Sequence, residues 1–323
     1  MKILNADLKS GEFQPVYLLY GEEGYLKRSY KRRFLEAFSE GGGMNCMVFE
    51  GKDIEEKAVI EAADTMPFFA ARRLIVVEDS GWLKASTERL PAYLPSMLET
   101  TVLLFIESGV DKRNRLYQAI RKAGYACELN HPDEHALQNW AARYLATYGK
   151  KITPGTMNRF LSYVGDDMEF VKNELDKLIA YLGEEEVADV RAVDTVTSIT
   201  LTSRIFELIA AITSRQTGKA MRLYEDLLAL REPPMRILFL TARQYRQLLY
   251  VKELTAEGRT RGEVAKELKL PVGVVGRMET QSRSIPRAAL QETVRQCAEL
   301  EEKVKTGELQ DRLAVEILIC GAS

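Results

Sequence analysis

Short apolar runs alternate with segments of helical spacing through the first 130 residues, and this alternation restricts the fold more than any other feature. Val16-Tyr17-Leu18-Leu19-Tyr20 is closed by Gly21. Further runs follow at Cys46-Met47-Val48-Phe49, Leu74-Ile75-Val76-Val77, Val102-Leu103-Leu104-Phe105-Ile106 and Tyr125-Ala126-Cys127. Residues 24–38 carry Tyr25, Leu26, Tyr30, Phe34, Leu35 and Phe38 at helical spacing, and similar patterns recur over about 54–65, 87–98 and 113–123. Gly41-Gly42-Gly43 breaks the chain before the second run. Strands alternating with helices imply a parallel sheet covered on both faces. This α/β domain is predicted to end near residue 138.

No convincing strand follows. Thr153 caps a predicted helix with Pro154 at its first position, Gly165 ends it, and Asp166 caps the next. That next helix carries Met168, Val171, Leu175, Leu178, Ile179 and Leu182 on one stripe and stops at Gly183; Glu184-Glu185-Glu186 is a solvated turn. Residues 139–208 thus read as a small helical domain. From Ser203 onward the pattern is one of long amphipathic helices, interrupted at Glu232-Pro233-Pro234, Pro271 and Pro286. These give an all-α third domain over 209–323.

A chain of 323 residues accommodates two or three domains, and 46% apolar residues exclude a disordered or collagen-like chain. No apolar stretch approaches the ~18 residues of a membrane helix, and Met1-Lys2-Ile3-Leu4-Asn5-Ala6-Asp7 turns polar too early for a secretory signal. Cys46, Cys127, Cys297 and Cys320 lie far apart and read as reduced, buried thiols of a cytoplasmic protein. The net charge of −2 divides into −6 for residues 1–199 and +4 for residues 200–323. A protein that binds DNA tightly by itself usually has a stronger basic excess, so nucleic acid is expected to touch one face or to be met within an assembly.

A glycine loop between the first strand and its helix invites a test for nucleotide binding. The phosphate-binding loop needs G-x-x-x-x-G-K-[ST]. Gly21-Glu22-Glu23-Gly24-Tyr25-Leu26-Lys27-Arg28 places Lys27 at the right offset from Gly21. However, Leu26 replaces the second glycine, Arg28 replaces the hydroxyl residue, and Glu22 and Glu23 would repel a polyphosphate. Gly21, Gly24 and Lys27 are therefore read as a degenerate loop that binds no cofactor. Glu78-Asp79, where an ATPase would carry its metal-binding acid, reads as a solvated strand end. His131-Pro132-Asp133-Glu134-His135 matches H-x-x-E-H. Pro132 at the first helical position would leave His131 as the cap, so no zinc site and no histidine-based catalytic triad is expected.

Thr260-Arg261-Gly262-Glu263 is a capping box. With a second helix from Val272 to Met278 it suggests a helix-turn-helix, with Arg277 and Arg283 facing DNA. A plain helical bundle explains it as well, since Val272, Val274 and Val275 stand where a reading helix wants polar groups. In Asp64-Thr65-Met66-Pro67-Phe68-Phe69-Ala70-Ala71-Arg72-Arg73, Pro67 ends a helix and two adjacent phenylalanines follow. Consecutive side chains diverge, so a core rarely takes both rings. Either one ring is core and the other covers a loop, or the pair is an aromatic plug for a partner's pocket.

Together these segments resemble the delta subunit of the bacterial DNA polymerase III clamp loader. The likeness runs from Val16-Tyr17-Leu18-Leu19-Tyr20-Gly21-Glu22-Glu23 and Tyr25-Leu26, through Met66-Pro67-Phe68-Phe69 and Asp111-Lys112-Arg113-Asn114-Arg115-Leu116. It continues in Asn173-Glu174-Leu175-Asp176-Lys177-Leu178 and Lys303-Val304-Lys305-Thr306-Gly307. The resemblance implies an α/β AAA+ type domain that has lost ATP binding, a helical lid domain and a helical collar domain. It implies that Met66, Phe68 and Phe69 dock in an apolar pocket of the sliding clamp (beta), with Phe68 where leucine is frequent and Asp64 where relatives can have glutamine. Further implied partners are the tau/gamma subunits, which handle ATP, the delta prime subunit, and primer-template DNA within the assembly. No metal, no membrane and no polymerase activity of its own are expected.

Two other readings predict different behaviour. A helix-turn-helix DNA-binding regulator with an α/β sensor domain would bind a DNA sequence alone and carry a ligand pocket in residues 1–138. An active AAA+ ATPase would need the loop residues that are missing here.

Overall fold

The computed structural model describes residues 1–39, 43–85, 87–270 and 272–321. The Gly41-Gly42 break and the interruption at Pro271 lie outside the described residues. Contacts divide the chain into two compact units, Met1–His131 and Pro132–Ser323.

The first unit holds β1 (Val16–Tyr20), β2 (Cys46–Glu50), β3 (Arg73–Glu78), β4 (Thr101–Glu107) and β5 (Tyr125–Glu128), all parallel, in the order β2-β3-β4-β1-β5. The expected runs are therefore the strands. Its helices are α1 (Lys2–Ser10), α2 (Gly24–Ala37), α3 (Glu56–Ala63), α4 (Arg89–Tyr93) and α5 (Arg115–Ala123), and a 3₁₀ turn at Leu94–Ser96 completes the expected 87–98 pattern. Val16, Leu18, Ile75, Val77, Leu103 and Phe105 join Val59 of α3 and Leu116 and Ile120 of α5 in one core layer. Tyr17 faces the other way, 4.9 Å from the ring of Phe34 on α2. Its hydroxyl donates to Asp7 at 2.6 Å and accepts from the Gln14 N–H at 2.7 Å. Helix α1 escaped the sequence pattern because its single buried residue is Leu4. Gly124 is required where β5 begins: a Cβ there would lie 1.9 Å from the Val16 carbonyl oxygen.

The second unit is helical: α6 (Glu134–Thr147), α7 (Pro154–Val164), α8 (Met168–Leu182), α9 (Val190–Val196), α10 (Leu201–Thr213), α11 (Thr217–Ala229), α12 (Pro234–Ala256), α13 (Arg261–Leu268), α14 (Val272–Arg283), α15 (Arg287–Lys305) and α16 (Asp311–Gly321). Two details differ from expectation. Lys151–Ile152 (β6) and Val187–Ala188 (β7) pair as a two-residue parallel bridge, too short to show a period. Asp167, not Asp166, caps α8 by accepting from the Phe170 N–H at 2.8 Å. Thr153 and Pro154 open α7 as expected.

The segments that carry the family resemblance here are structural. Buried Glu174 binds Lys177 at 2.7 Å and accepts from the Ser198 N–H at 2.9 Å, while Asp176 accepts from the Tyr144 hydroxyl at 2.6 Å. Gly307, at φ 81°, turns the chain out of α15 so that the Glu308 and Leu309 N–H groups return to the Lys303 carbonyl. The core of the helices from α10 onward centres on α12, whose Ile237, Leu238, Tyr245, Leu248 and Val251 are buried.

Cys127 and Cys297 are buried as expected, but Cys46 is half-buried and Cys320 exposed; all four are free thiols. Cys320 is exposed near the end of α16, whose buried side is Ala314, Val315, Leu318 and Ile319. Among the described residues, no single helix is long and apolar enough to cross a membrane, although the bent pair α9–α10 passes by length and composition.

Candidate functional site

Helix α3 ends at Ala63, and Pro67 lies in the following loop, which presents Met66, Phe68 and Phe69 at its surface with exposures of 67%, 52% and 91%. All three predicted residues therefore lie together and uncovered, so neither ring of the pair is core. The two rings meet edge to face with centroids 4.6 Å apart. Phe69 has φ 48°, a conformation that costs a non-glycine residue roughly 1–2 kcal/mol.

The surrounding polar groups hold this loop. Asn45, 1% exposed, donates from Nδ2 to the Phe68 carbonyl at 2.9 Å and accepts at Oδ1 from the Phe68 N–H at 2.6 Å. Buried Arg73 donates from Nη1 to the Thr65 carbonyl at 2.8 Å, and Thr101 donates to the Ala63 carbonyl at 2.6 Å. Asp64 accepts from the Tyr93 hydroxyl at 2.6 Å; burial, and then this hydrogen bond, push that phenol's pKa up. The apolar loop is thus pre-formed on a rigid base. Sequence reasoning missed Asn45 and Arg73. For Arg73 a signal existed, since a charged residue at the start of a buried strand needs a partner.

The degenerate phosphate loop follows a different logic. Gly21 has φ 122°, and a Cβ there would lie 2.4 Å from the Leu129 carbonyl oxygen, so glycine is kept for the turn itself. Glu23 is the N-cap of α2, with its carboxylate accepting from the Tyr25 N–H at 2.9 Å and meeting His131 Nδ1 at 2.8 Å. The protein's own anion thus stands at the helix N-terminus where a phosphate would bind. Gly24 begins α2, Leu26 is buried, and Lys27 is turned to the Glu107 carbonyl at 3.3 Å. Glu78 at the end of β3 is ion-paired with Lys31.

His131 and His135 do not converge: His131 faces Glu23, whereas His135 lies beside Asn139 at 3.0 Å. The cap of α6 is Asp133, accepting from the Ala136 N–H, and not His131. Among the described residues, no three His, Cys, Asp or Glu side chains are grouped to hold a metal ion.

The capping box at α13 forms: Thr260 accepts from the Glu263 N–H while Glu263 accepts from the Thr260 N–H at 2.8 Å. Helix α14 buries Val275 and Met278 in the bundle core. Arg283 is bound to Glu279 at 3.0 Å, as is Arg261 at 2.6 Å, and these two cations hold the Glu279 pKa down. The Arg277 guanidinium lies 5.9 Å from the Phe206 ring centroid. The pair is built as part of a bundle.

Comparison with known proteins places this geometry. Residues 17–130 match the family model "DNA polymerase III, delta subunit" and residues 202–322 match "DNA polymerase III delta subunit, C-terminal domain". The Bacillus subtilis DNA polymerase III subunit delta is 26% identical over 97% of this chain and 94% of its own length. A probable DNA polymerase III subunit delta of Aquifex aeolicus is 22% identical over 75% of this chain and 72% of its own. The solved Bacillus subtilis DNA clamp loader delta protein superposes with a TM-score of 0.78 at 25% identity, covering 99% of this chain and 98% of that one. With both its N-terminal and C-terminal stretches matched and a full-length structural counterpart, the chain belongs to the DNA polymerase III delta-subunit family, clamp-loader proteins of DNA replication.

Proposed function

We propose that this chain grips the sliding clamp through Met66, Phe68 and Phe69 and favours the clamp's open form, without hydrolysing ATP itself. The observation that carries the reading is the exposed edge-to-face pair Phe68–Phe69, displayed by the Asn45 bracket. Burying two phenylalanine rings contributes roughly 3–6 kcal/mol before the cost of association, enough for a hot spot. Because the loop is already formed, little of that gain is spent on ordering it. Ring opening then follows as a shift between two clamp conformations, driven by tighter binding to the open one.

The α2 N-terminus supports the absence of ATP turnover. Glu23 fills the anion position, Leu26 and Arg28 replace the residues a phosphate loop needs, and Lys27 is directed to a carbonyl. In this reading ATP is handled by the tau/gamma subunits. Residues 1–138 form the clamp-binding AAA+ type domain, 139–208 the lid, and 209–323 the collar that joins them and delta prime in a cytoplasmic assembly around primer-template DNA.

The test is binding of the purified chain to its cognate clamp beside a Phe68→Ala/Phe69→Ala variant checked for folding, with an ATP titration of the wild type in parallel. Clamp binding that disappears in the variant, and an ATP titration without heat, are expected. Undiminished binding by the variant would move the contact elsewhere, and saturable ATP binding would overturn the reading of the loop.

A further inference from the structure

A cavity among the C-terminal helices plays no part in the clamp grip. Helix α12 turns Leu240, Arg243 and Gln244 toward it, at the spacing that puts them on one stripe. Phe206 of α10 and Val274 and Met278 of α14 form much of the facing wall. The space measures about 170 Å³. An apolar cavity of about 150 Å³ engineered into another protein takes up benzene, so one small molecule is the right scale here.

Two independent observations indicate what that molecule carries. Gln244 is only 5% exposed, yet its Nε2 is buried without a hydrogen-bond partner. A buried N–H left unpaired is destabilising, and leucine at this place would continue the stripe without that loss. An unpaired donor in the wall of a ligand-sized space therefore points to a ligand oxygen. Arg243, at the same wall, is exposed and has no ion-pair partner among the described residues, and no Asp or Glu is among the described residues that line the cavity.

The wall sorts ligand classes. Leu240, Phe206, Val274 and Met278 suit a hydrocarbon body, whereas an amide N–H beside a guanidinium suits a carboxylate rather than an alcohol or a cation. The volume leaves no room for a nucleotide. We propose that this cavity binds a small monocarboxylate with an apolar body, about the size of benzoate, its carboxylate held by the Gln244 Nε2 and the Arg243 guanidinium. Such a ligand contacts α10, α12 and α14 at once, so it stabilises the bundle as its concentration rises. The proposal stands apart from the clamp grip of Phe68 and Phe69.

The test uses the full chain with ¹³C-methyl-labelled methionine, the Met278 signal being assigned by its loss in Met278→Leu. Benzoate and hexanoate are the probes, and benzyl alcohol is the uncharged control. At least one acid is expected to shift the Met278 methyl saturably, with a dissociation constant of about 1 mM or lower, and to raise the melting temperature. Benzyl alcohol should bind at least about tenfold more weakly, and Arg243→Gln should remove most of that preference. Gln244→Leu should weaken acid binding at least about tenfold while its own melting temperature stays level or rises. A glutamine that is satisfied by an enclosed water would instead leave a variant that melts markedly lower, and that result would overturn the proposal. So would the absence of a saturable shift with either acid, equal affinity for acid and alcohol, or variants that bind like wild type. A Met278 shift seen only when tau/gamma subunits are added would assign the cavity to a partner's side chain and would overturn it as well.

Discussion

Asn45 holds the backbone of Phe68 with both ends of its carboxamide, at 2.9 Å to the carbonyl and 2.6 Å from the N–H. A residue that directly precedes β2 thereby sets the position of a ring 23 places later in the chain. Asn45→Ala leaves both Phe68 groups without this partner and should cost about 1–3 kcal/mol of stability in a urea titration. Clamp affinity should fall by about tenfold, which corresponds to about 1.4 kcal/mol spent re-forming the loop. An unchanged clamp affinity would show that the bracket does not pre-form the contact.

Phe69 separates stability from binding. Its ring is 91% exposed and its φ is 48°. In Phe69→Gly, relief of roughly 1–2 kcal/mol of backbone strain is set against roughly 0.5–1 kcal/mol of chain entropy. The variant should be as stable as wild type or slightly more so by thermal melting, while clamp binding drops at least tenfold. A marked loss of stability would mean that the ring packs within the fold.

Burial pushes the Glu107 carboxyl up from its ordinary value of 4.5, against the opposing hydrogen bonds from the Ser80 hydroxyl and the Gly81 N–H. Between 4.5 and the raised value the folded chain holds this proton more tightly than the unfolded chain. The group's contribution to stability therefore falls as pH rises through that window. Glu107→Gln keeps an acceptor for both donors without the charge. It should be at least as stable as wild type at pH 7, with its advantage shrinking as pH falls toward 4.5. Urea titrations of both proteins across that range check this, and a variant less stable at neutral pH would contradict it.

The thiols should react in the order of their surroundings. Burial pushes the Cys297 thiol up to about 12, and Cys46, half-buried, is raised in the same direction. Cys320 is exposed. A thiol reagent added to the native protein at mildly alkaline pH should modify one group quickly, and Cys320→Ser should remove that fast phase. A fast phase that persists would place reactivity at a site that the packing closes.

The sheet was legible because a strand buried on both faces has to be apolar without interruption, as Leu74–Val77 and Val102–Ile106 are. The departure of residues 21–28 from the phosphate-loop spacing was legible because a fixed spacing either carries the required residues or does not, and Leu26 and Arg28 do not meet it. The adjacent phenylalanines marked the loop for a similar local reason, since neighbouring side chains diverge. What the sequence could not reveal were contacts between residues distant in the chain: Asn45 with Phe68, Glu23 with His131, and Asn114 with Trp82 and Ala85. Cap positions slipped by a residue or two, Asp167 for Asp166 and Asp133 for His131, because neighbouring candidates differ only in which backbone N–H they reach. Composition and period determine which segments are strands and helices. Only tertiary packing decides which polar side chains meet, because each such hydrogen bond is directional and its partner is chosen by the fold.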